Sequence, residues 1–283
     1  MIKVLSAGLY STIQDLGRFG FQGIGVPYSG AMDDRAARLA NALLGNDENN
    51  AVIEQTMVGV KLMFEIDTCI AITGAEMQAK IDNKALELNK SVLVNKGSVL
   101  SFGGLKRGIR GYIGVIGGFQ TPLVLGSRSM YPNITVSHIL KAGDELKVIP
   151  LKKESLNQHA HLKVDRTYLD SKILEVFQGP EFEFLTKVQQ EQLFNSVFHV
   201  SKLNNRMAYQ LEELLENNLD PILTSGVLPG TVQLTPSGKL IVLMRDCQTT
   251  GGYPRVLQLK EEAIAVLGQK KFMDEIKFKL LKY

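Results

Sequence analysis

The chain is poor in the residues that carry most metal and nucleophile chemistry: 283 residues hold two cysteines and four histidines. Cys69 and Cys247 stand far apart, which leaves neither a disulfide framework nor a Cys-x-x-Cys metal site. Two separate thiols fit a reducing compartment, and a cytoplasmic location is expected. His138, His159, His161 and His199 have no acid or cysteine at ligand spacing, so no metal site is expected. There is no G-x-S-x-G, and no histidine is placed to serve a nucleophilic serine. An excess of charge of one sign is also missing. The net charge is +3, and the basic residues at Lys152-Lys153 and at Lys277, Lys279 and Lys282 read as solvated surface, so no nucleic-acid partner is expected. No run approaches the ~20 apolar residues that span a bilayer, and MIKVLSAGLYST lacks the apolar stretch of a signal peptide. No membrane association is expected. The chain also lacks G-x-x-x-x-G-K-[ST], and no G-x-G-x-x-G stands between a strand and a helix, so ATP would have to be held by another scheme.

What the chain does have is a stretch from Gly8 to Gly45 with six glycines between Gly8 and Gly30 and the polar residues Thr12, Gln14, Asp15 and Arg18. Glycine admits positive φ and close approach of a ligand, so Gly8–Tyr28 is read as a loop forming one wall of a small-molecule site. A helix follows, on the stripe Met32, Ala36, Leu39 and Leu43. Ser29 is read as its cap rather than as a nucleophile. Asp33 and Asp34 complement its dipole at the surface, and Gly45 stops it. Asn41 lies off the stripe, and core packing does not explain it.

Short strands dominate from there to Pro150, with turns at Asp82-Asn83 and Asn95-Lys96-Gly97, a spacing that predicts a barrel or sandwich. Pro150–Asp165 is polar and without apolar period, the best linker candidate. Beyond it come strands at Ile173–Phe177, Phe198–Val200, Val232–Leu234 and Lys239–Met244. A helix-like run covers Glu183–Leu193, and Arg206–Asn217 is charged and rich in helix formers.

The apolar strand ending at Met244 runs into Arg245-Asp246-Cys247-Gln248-Thr249-Thr250-Gly251-Gly252-Tyr253-Pro254. Polar groups at a strand end sit on a rigid support. Gln248 offers an amide, the threonines offer hydroxyls, and Gly251-Gly252 offers backbone N–H groups to an anion. A plain turn explains the same letters equally well. Asp15 and Arg18 either pair with each other or present a carboxylate and a guanidinium to a polar ligand. Glu54 is either a partly buried acid at a cleft or an edge-strand charge.

The strings GLYSTIQDLGRFGFQGIGVPYSGAMD, ANALLGN, AVIEQT, NNRMAY, SGVLPGTVQLTPSGKLIVLMRD and QTTGGYP resemble the biotin-dependent carboxyltransferase-like family, over about residues 2–260. That family includes KipA, the C subunit of 5-oxoprolinase and a domain of urea amidolyase. The resemblance implies a mainly β fold with a few helices, built as two cyclophilin-like β-barrel subdomains sharing a cleft, residues 1–160 and 166–283. It implies one component of an ATP-dependent 5-oxoprolinase, opening 5-oxo-L-proline to L-glutamate. The partners would be a KipI-like B subunit of that enzyme and its A subunit, with ATP bound by the complex or by this chain. The alternatives are a KipA-type antagonist of a kinase inhibitor and a carboxyltransferase acting on a urea-like amide. No biotin attachment string is present. Carried over by motif, Asp15, Arg18, Glu54, Asp246 and Gln248 would be catalytic. Gln14, Ser29, Met32, Asp33, Asn41, Arg206, Thr249, Thr250 and Tyr253 would bind substrate. The chain departs from the family pattern S-D-R-M-G-Y-R at Asn204-Asn205-Arg206-Met207-Ala208-Tyr209-Gln210, and Val60 replaces a common proline.

Overall fold

The structure, a computed structural model, describes residues 1–150 and 164–281. Most of the linker candidate, His159, His161, Lys152, Lys153 and Lys282 lie outside the described residues. The chain divides into two compact units, Met1–Arg18 with Ser29–Leu169 and Phe19–Tyr28 with Asp170–Tyr283. Residues 164–169 go with the first unit because their groups are tied there: Arg107 Nη2 donates to the Arg166 carbonyl at 2.9 Å, and Tyr168 Oη donates to Asp33 at 2.7 Å.

The first unit holds β1 Ile2–Ser6, β2 Tyr10–Gln14, α1 Asp34–Leu44, β3 Val52–Thr56, β4 Lys61–Phe64, β5 Thr68–Glu76, β6 Lys80–Ile81, β7 Lys84–Ala85, β8 Ser91–Val94, β9 Val99–Ser101, β10 Arg107–Val115 and β11 Glu145–Leu146. They form a six-stranded sheet in the order β11-β1-β4-β9-β6-β7 and a five-stranded sheet in the order β2-β3-β10-β5-β8. One apolar core joins both sheets. Its centre is a line of isoleucines in register across four strands, Ile13, Ile53, Ile113 and Ile72. Side chains alternate along a strand. The neighbouring row, Thr12, Glu54, Tyr112 and Thr73, therefore faces the other way. Helix α1 covers that face with small residues, Ala36, Ala37 and Ala40 packing with Tyr112 and Val52.

The second unit holds β12 Ile173–Gln178, α2 Lys187–Asn195, β13 Phe198–Asn204, β14 Ala208–Leu214, β15 Ser225–Gly226, β16 Thr231–Leu234, β17 Lys239–Leu243, β18 Thr250–Gly251, β19 Arg255–Leu259, α3 Glu261–Gly268 and β20 Glu275–Leu280. Seven of the strands close a barrel, β12-β19-β16-β17-β14-β13-β20. The barrel closes through a parallel pairing of β12 with β20. The chain is thus mainly β, with one closed barrel and one pair of sheets around a shared core.

Three local expectations change. Tyr10–Gln14 is a strand and not loop, fully paired with β3. Its polar letters hid a strand whose polar side chains find buried partners. Arg206–Asn217 is not helical. Ala208–Leu214 alternates, with Tyr209 and Leu211 buried inside the barrel, and strand pairing overrides its helix-forming composition. Ser29 does not cap α1. Asp33 is the N-cap, its carboxylate accepting from Ala36 N at 3.0 Å, and it is buried rather than at the surface.

Candidate functional site

In the first unit, three of the motif strings meet. Gln14 Oε1 accepts from Gly30 N at 3.1 Å, and the Asp15 carbonyl accepts from Ala31 N at 2.9 Å. The Ser-Gly-Ala-Met-Asp run therefore lies across the Gln-Asp-x-Gly-Arg run. Glu54 supplies the third contact, its Oε2 accepting from Met32 N at 2.7 Å. Gly30 is required at the crossing. Its φ is +91° and a Cβ there would sit 2.9 Å from Gly17 N. Gly30→Ala is expected to destabilise the first unit by about 2–3 kcal/mol, the sum of a strained φ and a backbone clash. Denaturant unfolding measures it.

Asp15 is buried and fully engaged. Its Oδ1 accepts from Ser127 Oγ at 2.7 Å, Ser129 Oγ at 2.6 Å and Gly17 N at 2.9 Å, and its Oδ2 accepts from Arg128 N at 2.6 Å. Arg18 is fully buried and donates to the Val124 and Ser129 carbonyls at 3.0 and 2.9 Å. Both residues thus fasten the 124–129 segment. Asn41 is similarly occupied: its amide nitrogen donates to the Glu48 and Asn50 carbonyls, and its oxygen accepts from Asn46.

Glu54 lies in a buried polar cluster. Tyr112 Oη donates to Glu54 Oε2 at 2.8 Å and accepts from Asp33 N at 2.8 Å, and Arg110 Nε lies 3.9 Å from Glu54 Oε1. Burial pushes the Tyr112 pKa well up, and the Glu54 and Asp33 carboxylates add to it. Burial and Asp33 do the same to Tyr168. Both phenols stay protonated and act as donors. Arg110, Tyr112 and Tyr168 were not anticipated from sequence. Tyr112 stands in the stretch expected to hold short strands, but only the β3–β10 register reveals that it faces Glu54. Ser29 stands apart from Asp15 and Asn41, whose side chains are paired at both polar atoms. It is buried at φ +57°, and its hydroxyl has no hydrogen-bond partner among the described residues.

The second unit arranges its polar residues differently. Arg206 and Asp246 form a two-pronged pair, Nε to Oδ2 at 2.8 Å and Nη2 to Oδ1 at 3.0 Å. Asp246 N also donates to the Arg206 carbonyl at 2.9 Å. Asn205 makes the turn that presents Arg206, its Oδ1 accepting from Met207 N at 2.8 Å and Ala208 N at 3.1 Å. An acid at this position would accept the same two bonds, so Asn205 preserves the turn despite the departure from the family pattern.

Past Asp246, Cys247 is buried, and burial together with Asp246 pushes its thiol up to about 12. It remains a thiol at neutral pH. Alkylation of native protein by iodoacetamide at pH 8 is expected to leave Cys247 unmodified, read by peptide mass spectrometry. Gln248 and Thr249 are half-buried, and Thr250 is exposed. Their side chains form no hydrogen bond among the described residues. Tyr253 is 39% exposed. The backbone beneath them is fixed: Thr250–Gly251 pairs with Ser225–Gly226, and Gln233 Nε2 donates to the Tyr253 carbonyl at 3.4 Å. A Cβ at Gly251 would fall 2.4 Å from Gln233 Nε2, so that glycine serves close packing. Gln248, Thr249, Thr250 and Tyr253 thus form a rigidly backed run of available polar groups.

A family model described as the carboxyltransferase domain, subdomain A and B, matches residues 24–280. The chain is 34% identical over 275 residues to the C subunit of 5-oxoprolinase from Escherichia coli (strain K12), spanning 95% of this chain and 87% of the relative. It is 31% identical over 287 residues to the C subunit of 5-oxoprolinase from Haemophilus influenzae, spanning 98% and 90%. Among solved structures, the Kluyveromyces lactis urea carboxylase superposes with a TM-score of 0.86 at 27% identity, over 99% of this chain and 27% of that one.

Proposed function

Because the chain belongs to the carboxyltransferase domain family, we propose that it is the C subunit of an ATP-dependent 5-oxoprolinase, working with A and B subunits. The observation that carries this reading is the near full-length similarity to two proteins named as the C subunit of 5-oxoprolinase. The reaction opens the lactam amide of 5-oxo-L-proline, which is stable and needs activation. Phosphoryl transfer from ATP to the lactam oxygen would make the ring carbon more electrophilic: water adds there, the C–N bond breaks as the ring nitrogen takes a proton and leaves as the amine, and hydrolysis of the resulting acyl phosphate gives glutamate and phosphate. The protein's share is to orient the lactam and to stabilise the charge on the phosphorylated oxygen and on the tetrahedral adduct that forms as water adds.

Gln248, with its free amide, and Thr249 and Thr250, with their free hydroxyls, are the groups suited to that task. Tyr253 offers a ring face and a phenol beside them. Ser29 offers the one buried hydroxyl of the first unit's motif residues that is without a partner among the described residues. Asp15, Arg18, Glu54 and Asn41 are positioning residues in this reading, because they hydrogen-bond to backbone and side-chain groups of the chain itself. Asp246 and Arg206 brace the strand end that carries Gln248. The test is co-expression with the A and B subunits and measurement of ATP hydrolysis dependent on 5-oxo-L-proline. Glutamate formation is expected, and its absence from the full set sinks the reading.

A second reading has an observation of its own. The structural match to a urea carboxylase favours carboxyl transfer to a urea-like amide, with biotin carried by another chain. Urea-dependent turnover with a biotinylated carrier, and none with 5-oxo-L-proline, would select it.

A further inference from the structure

The first unit contains a cavity of about 320 Å³ that the reading above does not use. One wall is a single stripe of α1: Arg35, Arg38, Leu39 and Ala42. These positions are three, four and seven residues on from Arg35, so they share one face of the helix. Residues 164–169 form the other wall, and Gly74 of β5 contributes to the lining between them. None of the motif residues assigned above lines this cavity.

Its lining holds three guanidinium groups and one carboxylate, and each guanidinium has an acid partner within 4 Å. Arg35, Arg38 and Arg166 line it against one acid, Asp165. The acids that pair with Arg38 and Arg166 are Asp34, Glu48 and Glu76, and they stand outside the lining. Arg35 meets Asp165 at 3.6 Å with both side chains about half exposed, 46% and 58%, so solvent screens the pair and a better acceptor can displace it. The Tyr168 ring holds the Arg35 guanidinium at 4.5 Å from its centroid, which fixes the cation at the cavity. Arg166 gives Nη2 to Glu76 at 2.5 Å, but its Nε is buried with no hydrogen-bond partner among the described residues. Its fork is therefore only partly used.

Apart from Asn89 and Tyr168, the remaining side chains of the lining are apolar, among them Ala36, Leu39, Ala42 and Leu169. An inorganic ion would leave that surface uncovered. We propose that this cavity is a binding site for a small organic carboxylate, its anionic head on Arg35 and Arg166 and its compact apolar body along Leu39 and Ala42. The volume is at the lower end of the ~300–1,000 Å³ typical of ligand pockets, which restricts the body to about one ring.

The test is direct titration of the 283-residue chain, without partner subunits, with cyclopentanecarboxylate, benzoate and inorganic phosphate by isothermal calorimetry. At least one of the two carboxylates is expected to saturate a single site and to bind at least tenfold more tightly than phosphate. Affinity is expected to fall at least tenfold in the Arg35→Gln/Arg166→Gln double variant. Ala42→Trp is expected to abolish binding with an unchanged thermal midpoint, since Ala42 is exposed and its larger replacement fills the cavity. Absence of saturable carboxylate binding overturns the proposal. So does phosphate binding as tightly, or binding that is indifferent to Ala42→Trp. The readout needs no ATP turnover, so the fate of the 5-oxoprolinase reading does not bear on it.

Discussion

Arg206→Ala is expected to cost the second unit about 3–5 kcal/mol of stability, because it strands a buried carboxylate. The Arg206 and Asp246 side chains are 6% and 12% exposed and share two charge-assisted hydrogen bonds. Removing the guanidinium leaves Asp246 desolvated and without those two donors. The same logic predicts strong coupling. The Arg206→Ala/Asp246→Ala double variant is expected to cost clearly less than the sum of the two single changes, with an interaction of about 1–3 kcal/mol. Urea unfolding of the four proteins measures the cycle. Additive costs would mean that the pair contributes nothing as a pair. The functional consequence follows from position, since Asp246 lies two residues before Gln248 in the chain. If the proposed function holds, loosening that strand end is expected to lower turnover through the loop it carries, without touching the substrate itself.

Asp15→Ala is the second large effect, expected at about 3–5 kcal/mol in the first unit. Four donors lose their acceptor at once: two serine hydroxyls and two backbone N–H groups. A hydrogen bond to a charged group contributes about 1.5–3 kcal/mol, and buried donors left unmet add a desolvation cost. The four are not additive, because Ser127 and Ser129 can relax toward each other. Asp15→Asn is expected to cost less, about 2 kcal/mol, as one carboxamide oxygen still accepts while the new NH2 group faces a donor. Thermal unfolding orders the three proteins wild type, Asn, Ala. Equal midpoints would contradict the structural role given to Asp15.

Much of the framework was legible locally. The stripe Met32, Ala36, Leu39, Leu43 marks α1, and Gly45, at φ +65°, ends it where a glycine was expected to. The apolar runs at Cys69–Thr73 and Gly111–Ile116 are strands because alternate residues fill the two-sheet core. What the sequence hid was pairing at a distance. Asp15 binds Ser127–Ser129, more than a hundred residues away, and nothing in the letters Ser-Arg-Ser marks them as its partners. Glu54 meets Tyr112 only through strand register. Burial also inverts the reading of polarity. Thr12, Gln14 and Asp15 looked like a ligand-facing loop, yet they are interior groups whose hydrogen bonds are met by the chain itself. The Gln248–Thr250 run looked equally like a turn. Its unpaired side chains on a fixed backbone separate it from the first cluster.

That contrast is the core of the proposal: one set of motif residues builds the scaffold, and the other is the set we propose to meet substrate. Steady-state kinetics of the complex reconstituted with wild-type or Gln248→Ala chain, alongside thermal midpoints, tests it most directly. The account predicts a loss of at least tenfold in kcat/KM for 5-oxo-L-proline with the midpoint unchanged. Full activity in Gln248→Ala, or a loss explained by a lowered midpoint, would contradict it.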